Sequence, residues 1–380
     1  MGDATPRPAI PKECLAGVVV NEGPDFHVEV RTIPVPEPGP DEVLVKLNCT
    51  GLCMSDIHCM LNDWNVPKMS HFGTKCAGHE GAGVIVKVGE RTKLLKVGQR
   101  VGHKPILDVC HMCESCKSGR ETYCSQAVLT GLAADGSYKQ YVTSPERYTT
   151  VIPDGVSDYV AGPIMCSAST IYTSIKESNI RPGQWACFPG GGGGVGIQGV
   201  QLAKAMGLRS VVVDTGADRA ALAREHGAEH FVDFLKTPDA CAEVVRVTGG
   251  GAHAVFVTAI QAYPIGLGYL GERTGAKLMC IGLPPHGKYH IDVDPGQLIS
   301  FNQQVIGTLV SNLRDIDETL DFARRGEKRS RSLSSTFSDI WTGLLTFEPT
   351  VVGLSKFNES VQKLKNGKVA GRIVVDFNLP

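Results

Sequence analysis

A chain of 380 residues is longer than a single hydrophobic core usually spans, about 250–300 residues, so two domains are expected. Its 38 basic and 39 acidic residues nearly cancel without forming long blocks, which argues against nucleic acid or an anionic membrane surface as a partner. No apolar run approaches the ~20 residues that cross a bilayer, and the opening MGDATPRPAIPKEC resembles neither a secretory signal nor a transit peptide, so a soluble cytoplasmic protein is expected.

The chain up to about residue 160 reads as β-rich. Short apolar runs, Val18–Val20, Val43–Leu47, Val84–Val88 and Tyr148–Ile152, are separated by Gly, Pro and Asp clusters. The middle alternates. A strand at Trp185–Phe188 leads through five consecutive glycines into a helix from about Val195 to Met206. Then come a strand at Ser210–Val213, a helix at Asp218–His226, and strands at Ala254–Val257 and Ala276–Ile281. Strands alternating with helices predict an α/β fold with a parallel sheet covered on both faces. Val351–Phe377 returns to mixed elements. Lys328–Phe347 has a Ser-rich basic start and no clear period, and is expected as a surface loop.

Thirteen cysteines are many for a reducing compartment, where clustered thiols more often bind metal than pair. Cys110, Cys113, Cys116 and Cys124 give C-x2-C-x2-C-x7-C. Two-residue spacers let successive thiolates turn inward to one point, as a closed tetrahedral zinc site requires. Such a site clips a loop and leaves no position for substrate. Lys117, Arg120 and backbone N–H groups are expected to offset its negative charge. Disulfides are disfavoured by the compartment; an iron–sulfur cluster has the same ligand type.

The segments GLCMSDIH (51–58), GHEGAG (78–83) and PIMCSAST (163–170) supply a second set. Cys53, His79 and Cys166 would bind zinc with two thiolates and one imidazole, leaving one position open as in a catalytic site. A metal so held acidifies a bound hydroxyl and polarises a carbonyl. Ser55 is placed to hydrogen-bond the substrate oxygen, and His58 to take its proton at the solvent edge. Asp56 could orient His79 through its second ring nitrogen, and Glu80 sits beside that ligand. Taken singly, a lone His or a buried Cys166 is ordinary; the combination carries the reading.

Gly191-Gly192-Gly193-Gly194-Val195-Gly196 fits G-x-G-x-x-G between a strand and a helix, the dinucleotide fingerprint. Its glycines permit close approach to a pyrophosphate at the helix N-terminus. Asp214 ends the next strand, VVVD, where a carboxylate accepts from the adenosine ribose and repels a 2′-phosphate. NAD is therefore favoured over NADP, with Arg219, five residues on, keeping NADP in play.

Together these residues resemble the zinc-dependent medium-chain dehydrogenase/reductase family, and within it the yeast-type alcohol dehydrogenases. The resemblance implies a GroES-like β-rich catalytic domain over residues 1–167, completed by 312–380, and a Rossmann NAD-binding domain over 168–311. It implies one catalytic zinc on Cys53, His79 and Cys166 with Glu80 beside it, one structural zinc on the four clustered cysteines, and a relay through Ser55 and His58. Arg372, in GKVAGRIVVDF, matches an arginine that salt-bridges the cofactor pyrophosphate. A homotetramer is implied, acting on a small alcohol or aldehyde, for instance in secondary metabolism. Three departures stand out. Met54 replaces a polar or basic residue near the cofactor phosphates, which would loosen cofactor binding. Pro105 replaces a pocket Trp while Trp64 keeps the other aromatic wall, which predicts a larger pocket and a preference for bulky or aromatic alcohols. Lys328–Phe347 is longer than the family's link. A zinc-free reductase on the same fold would not need the Cys53/His79/Cys166 set. A non-catalytic dinucleotide- and zinc-binding relative would be expected to have lost ligand or relay residues.

Overall fold

The computed structural model describes residues 9–330, 345 and 348–380. Most of Lys328–Phe347, expected above as a surface loop, lies outside the described residues; the backbone of Lys328–Ser330 continues a helix, and Leu345 is buried.

The chain opens with β1 (Glu13–Val20) and β2 (His27–Pro34), paired antiparallel. β3 (Glu42–Gly51) follows, then helix α1 (Met54–Leu61) and β4 (Gly81–Val88). Next come β5 (Arg100–His103), β6 (Ile106–Asp108), the single turn α2 (Glu114–Lys117), β7 (Val128–Leu129), β8 (Tyr141–Pro145) and β9 (Thr150–Val151). The expected strand Tyr148–Ile152 is shorter than its apolar run, because Glu146–Tyr148 winds into a 3-10 turn.

From there a continuous helical stretch carries the chain into a second sheet. It consists of α3 (Asp158–Pro163), a wide π turn (Ile164–Ala168) and α4 (Ser169–Ser178). The sequence explains the widening. Pro163 has no N–H to give to the helix, and the Cys166 carbonyl accepts from Ser169 Oγ (3.1 Å) and Thr170 Oγ1 (2.6 Å) beside the Ser169 backbone N–H. π turns recur at functional positions.

The second sheet contains β10 (Trp185–Pro189), β11 (Arg209–Asp214), β12 (His230–Asp233), β13 (Ala254–Val257), β14 (Lys277–Cys280) and β15 (Gln304–Gly307). The order is β12-β11-β10-β13-β14-β15 with every pair parallel. β10 is buried along its whole length, as a strand covered on both faces must be. Its interleaved helices are α5 (Gly194–Ala205), α6 (Ala217–Glu225), α7 (Ala240–Thr248) and α8 (Pro295–Phe301). The strand order reverses between β10 and β13. In such sheets ligands bind at that reversal, outside the carboxyl ends of the strands.

α9 (Leu313–Ser330) leads back to β16 (Thr350–Val352), α10 (Phe357–Lys365) and β17 (Ile373–Asp376). β17 pairs with β3, so the first sheet runs β16-β17-β3-β4-β5-β9, with β8 also on β3. The two ends of the chain thus build one sheet, over a core that includes Val43, Leu47, Ile57, Met60, Phe357 and Val375. None of the described helices is long and apolar enough to cross a membrane.

Candidate active site

Two sets of metal-binding side chains converge. Cys110, Cys113, Cys116 and Cys124 bring their sulfurs within 4.8 Å of one another around α2. Four sulfurs at the ~2.3 Å bond length of tetrahedral zinc would sit about 3.8 Å apart. The separations Cys113–Cys116, Cys110–Cys124 and Cys110–Cys116 are 3.5, 3.6 and 3.9 Å. Backbone N–H groups of Met112 and Cys113 donate to Cys110 Sγ (3.4 and 3.3 Å) and pull its thiol down from its ordinary range. Of the offsets expected from sequence, these amides are in place, while Arg120 lies over the Tyr123 ring. The set fits zinc in size and donor type.

Cys53, His79, Glu80 and Cys166 form the second set, all buried and with donor atoms within 4.8 Å. Each comes from a different structural device. Cys53 caps α1, and its N–H donates to Asp56 Oδ2 at 3.0 Å. His79 and Glu80 lie just before β4, where Gly78 turns with φ of 92°. A Cβ at Gly78 would come 2.2 Å from the Tyr138 ring, so the turn accepts only glycine. Cys166 sits in the π turn.

The charges around this set are arranged for a cation. His79 Nδ1 lies 2.6 Å from Asp56 Oδ1, while its Nε2 is buried with no protein partner, the state of a nitrogen held ready for a metal. Burial pushes the His79 imidazole down, but Asp56 and Cys53 outweigh it and hold it well above its usual value. The Cys166 thiol and then His79 pull Cys53 well down against its burial, and Cys166 is pushed up in turn. Asp56 is itself pinned, since Oδ2 also accepts from Tyr138 Oη at 3.0 Å. Glu80 is fully buried; burial pushes its carboxyl up, and the Arg372 guanidinium pulls the other way. The donor set, the orphaned Nε2 and the pinned Asp56 fit a divalent zinc.

Cys53, His79 and Cys166 open onto a cleft of about 1260 Å³ that also reaches the glycine loop. Gly193, Gly194, Val195 and Gly196 line it, as do Asp214, Arg219 and Arg372. Gly191 lies just behind, packed on Val212. At Gly196 a Cβ would approach Gly191 Cα to 2.4 Å, so α5 can pack on its own loop only without a side chain there. Asp214 is buried; its Oδ2 accepts from Gly192 N (2.9 Å) and its Oδ1 pairs with Arg219 (2.9 Å). Arg219 also donates to the carbonyls of Gly367 (2.7 Å) and Val369 (3.1 Å), joining the second sheet to the returning C-terminal segment. Arg372 stands beside this loop, its Nη1 within 2.7 Å of where a Gly194 Cβ would be, and it spends its other nitrogens on Glu80.

Ser55 and His58 lie three apart on α1 and both line the cleft. The structure corrects one expectation. His58 is not at the solvent edge but only 7% exposed, because Trp64 stacks on its ring at 5.4 Å and Asp63 covers Nδ1. Trp64, Pro105, Ile106, Leu129, Leu283 and Val310 line the apolar part of the cleft. Met54 lies at its rim, 40% exposed. Asp63 and Tyr138 are site residues that the sequence does not single out. No spacing rule points to either, since one acts through a reversal of the chain and the other across the sheet.

Comparison with known proteins places these features in a family. Residues 39–154 match the alcohol dehydrogenase GroES-like domain, and residues 194–325 match the zinc-binding dehydrogenase family. An alcohol dehydrogenase of Schizosaccharomyces pombe is 38% identical over 372 residues, covering 97% of this chain and 99% of that one. Alcohol dehydrogenase 1 of Neurospora crassa is 36% identical over 374 residues, covering 98% and 99%. Among solved structures, acetophenone reductase from Geotrichum candidum in complex with NAD superposes with a TM-score of 0.79 at 23% identity, covering 97% of this chain and 98% of that one, and so shares the fold.

Proposed function

The chain belongs to the zinc-type medium-chain alcohol dehydrogenases, and from that premise we propose that it oxidises primary or secondary alcohols with NAD, bulky and aromatic ones ahead of ethanol, or reduces the matching aldehydes and ketones. The observation that carries this reading is the shared cleft. Cys53, His79 and Cys166 line it together with Ser55, the glycine loop and Asp214, so the residues that would hold a zinc and those that would hold a dinucleotide face one space. When bound, zinc supplies Lewis acidity to the substrate oxygen and NAD supplies a hydride acceptor.

The chain's own residues do the rest. Cys53 and Cys166, as two thiolates, would together cancel the charge of a zinc held there, which would let a neutral substrate enter and leave. Asp56 keeps the His79 ring fixed, with Nε2 turned away from the carboxylate and left for the metal. Ser55 supplies a hydroxyl at the start of α1 that can take the alcohol's proton and pass it along the helix face to His58. The apolar wall of Trp64, Ile106 and Leu129 keeps water from the reacting carbon.

The Asp214 carboxylate disfavours a 2′-phosphate, and Arg219, engaged by three oxygen atoms, is already committed elsewhere. Both support NAD. The four-cysteine set is assigned a second, structural zinc. Pro105, where an indole would fill the cleft, supports the larger substrates.

The test is reduction of NAD and NADP at 340 nm with ethanol and benzyl alcohol, with and without a zinc chelator. Chelator-sensitive turnover, faster with NAD and with the higher kcat/KM for benzyl alcohol, is expected. A higher kcat/KM for ethanol would remove the substrate assignment, and turnover indifferent to chelator would remove the metal.

A further inference from the structure

The turn that carries His79 is built against a second segment, 136–138, which precedes β8. Gly136 N–H donates to the Cys76 carbonyl (2.7 Å), Tyr138 N–H to that of Ala77 (3.0 Å) and Ser137 N–H to that of Gly78 (3.0 Å). A Cβ at Gly136 would collide with the Gly78 carbonyl, so this approach depends on glycine. Past His79, Glu80 N–H donates to Ser137 Oγ at 3.2 Å. One short segment thus holds the backbone on both sides of His79. The same segment also reaches the His79 side chain, through Tyr138 and Asp56. Tyr138 is fully buried, and its ring packs beside Gly78 and meets Phe357 at an angle of 65°, with centroids 4.8 Å apart. The hydroxyl leaves this apolar contact to donate to Asp56 Oδ2 at 3.0 Å. Burial, and then the charge of Asp56, push the phenol well up, so it keeps the proton that a carboxylate needs from its partner. Cys53 N–H donates to the same oxygen at 3.0 Å, and Oδ1 is left facing His79 Nδ1 at 2.6 Å. A single donor would let the carboxylate pivot. Two donors from separate elements, the cap of α1 and the segment before β8, fix its plane.

We propose that the Tyr138 hydroxyl is a positioning group for the metal set, locking the Asp56 carboxylate against His79 and so setting how long Cys53, His79 and Cys166 retain zinc. Tyr138 does not line the cleft, so it acts on the site only through its neighbours. An imidazole held by a fixed carboxylate keeps its other nitrogen aimed at one point, and loosening such a partner weakens metal binding. The ring and the hydroxyl divide the work. The ring packs between the Gly78 turn and Phe357, which is a matter of stability, while the hydroxyl alone touches the carboxylate. Removing the oxygen should therefore leave the packing and release the lock. The proposal rests on the reading that Cys53, His79 and Cys166 hold zinc.

The experiment compares wild type, Y138F, F357L, D56N and the D56N/Y138F double variant, all zinc-loaded. Metal per chain is counted first, and zinc transfer to the chromogenic chelator 4-(2-pyridylazo)resorcinol is then followed in time. C113S, in which the four-cysteine site is broken, assigns the two phases of release. Expected for Y138F is release from the Cys53 set faster by about 10-fold, with the four-cysteine zinc leaving at the wild-type rate and the urea midpoint at saturating zinc hardly moved. F357L loosens the ring but keeps the hydroxyl, so it should lower the urea midpoint and leave both release rates near wild type. D56N should release the Cys53-set zinc fast, and the double variant no faster than D56N. Wild-type release from Y138F would overturn the positioning role. Equal acceleration in Y138F and F357L would reduce Tyr138 to a packing residue and overturn it as well. A double variant markedly faster than D56N would overturn the path through Asp56. Wild type holding one zinc per chain, and C113S none, would overturn the zinc reading itself and the proposal with it.

Discussion

Arg372 grips Glu80 through Nε, at 3.1 Å from Oε2, and through a terminal nitrogen on Oε1, although 292 residues separate them in the chain. Arg372 is 4% exposed and Glu80 fully buried, so this buried contact ties the start of the C-terminal strand to the ligand set. Removing one partner of a buried pair strands the other charge, which typically costs about 3–5 kcal/mol. Arg372→Leu is expected to lower stability by that order, read as a shift in the urea midpoint at constant slope with zinc saturating. Glu80→Gln keeps a hydrogen-bond acceptor but leaves the buried Arg372 charge uncompensated, so it should cost a comparable amount. An unshifted midpoint for Arg372→Leu would show that the pair contributes nothing net.

His103 gives a dependence on pH. The ring is 2% exposed with Nε2 unpartnered, and burial, followed by the charge of Lys104, pushes its pKa down to about 3. The unfolded chain takes up a proton near the ordinary value of about 6.5, so between pH 6.5 and about 3 it binds one that the folded state refuses. Stability from this residue is therefore complete above pH 6.5 and lost as pH falls, by about 1.4 kcal/mol per pH unit at most. His103→Leu should remove that slope, leaving the loss due to other groups. Parallel stability–pH curves for the two proteins would contradict it.

None of the four clustered cysteines lines the cleft, so a zinc held by them would be removable separately. Cys113→Ser is expected to lower zinc content from two to one per chain and to shorten the half-life at elevated temperature, with kcat at 25 °C changed less than twofold. Metal analysis and timed heat inactivation would check this. Loss of both metals would mean that the two sites form as one unit.

Pro105→Trp tests the pocket. An indole at this lining position fills part of the cleft beside Trp64. The benzyl alcohol to ethanol ratio of kcat/KM should fall by about 10-fold or more, within what a change in an apolar pocket can achieve. An unchanged ratio would place the size limit elsewhere along the wall.

The metal and cofactor chemistry is largely legible in the residues themselves. Cys110 to Cys124 are a local pattern, and a local pattern constrains geometry directly. The glycine loop is local too, flanked by the strand and helix it needs. Cys53, His79 and Cys166 are not local; their ligand types suggest one set, and the resemblance to a family supports joining them. What stays hidden depends on contacts between distant residues or on irregular backbone. Tyr138 reaches Asp56 from 82 residues away. The burial of His58 has no signature in the sequence, because the reversal at Asn62 puts Asp63 and Trp64 over it, which no helical period indicates. Helix α1 is hidden in the same way, being short and carrying the ligand at its cap.

Cys166 occupies the wide turn between α3 and α4, on the stretch of backbone that runs from one sheet into the other. The third donor of the metal set is therefore part of a joint. An ion bound by Cys53, His79 and Cys166 would rivet that joint to the start of α1 and to the turn before β4. Occupancy by the metal and the set of the two lobes then become a single variable. Stripping the metal should first show as play at the crossing, with the glycine loop drifting against α1, while each sheet keeps its own packing.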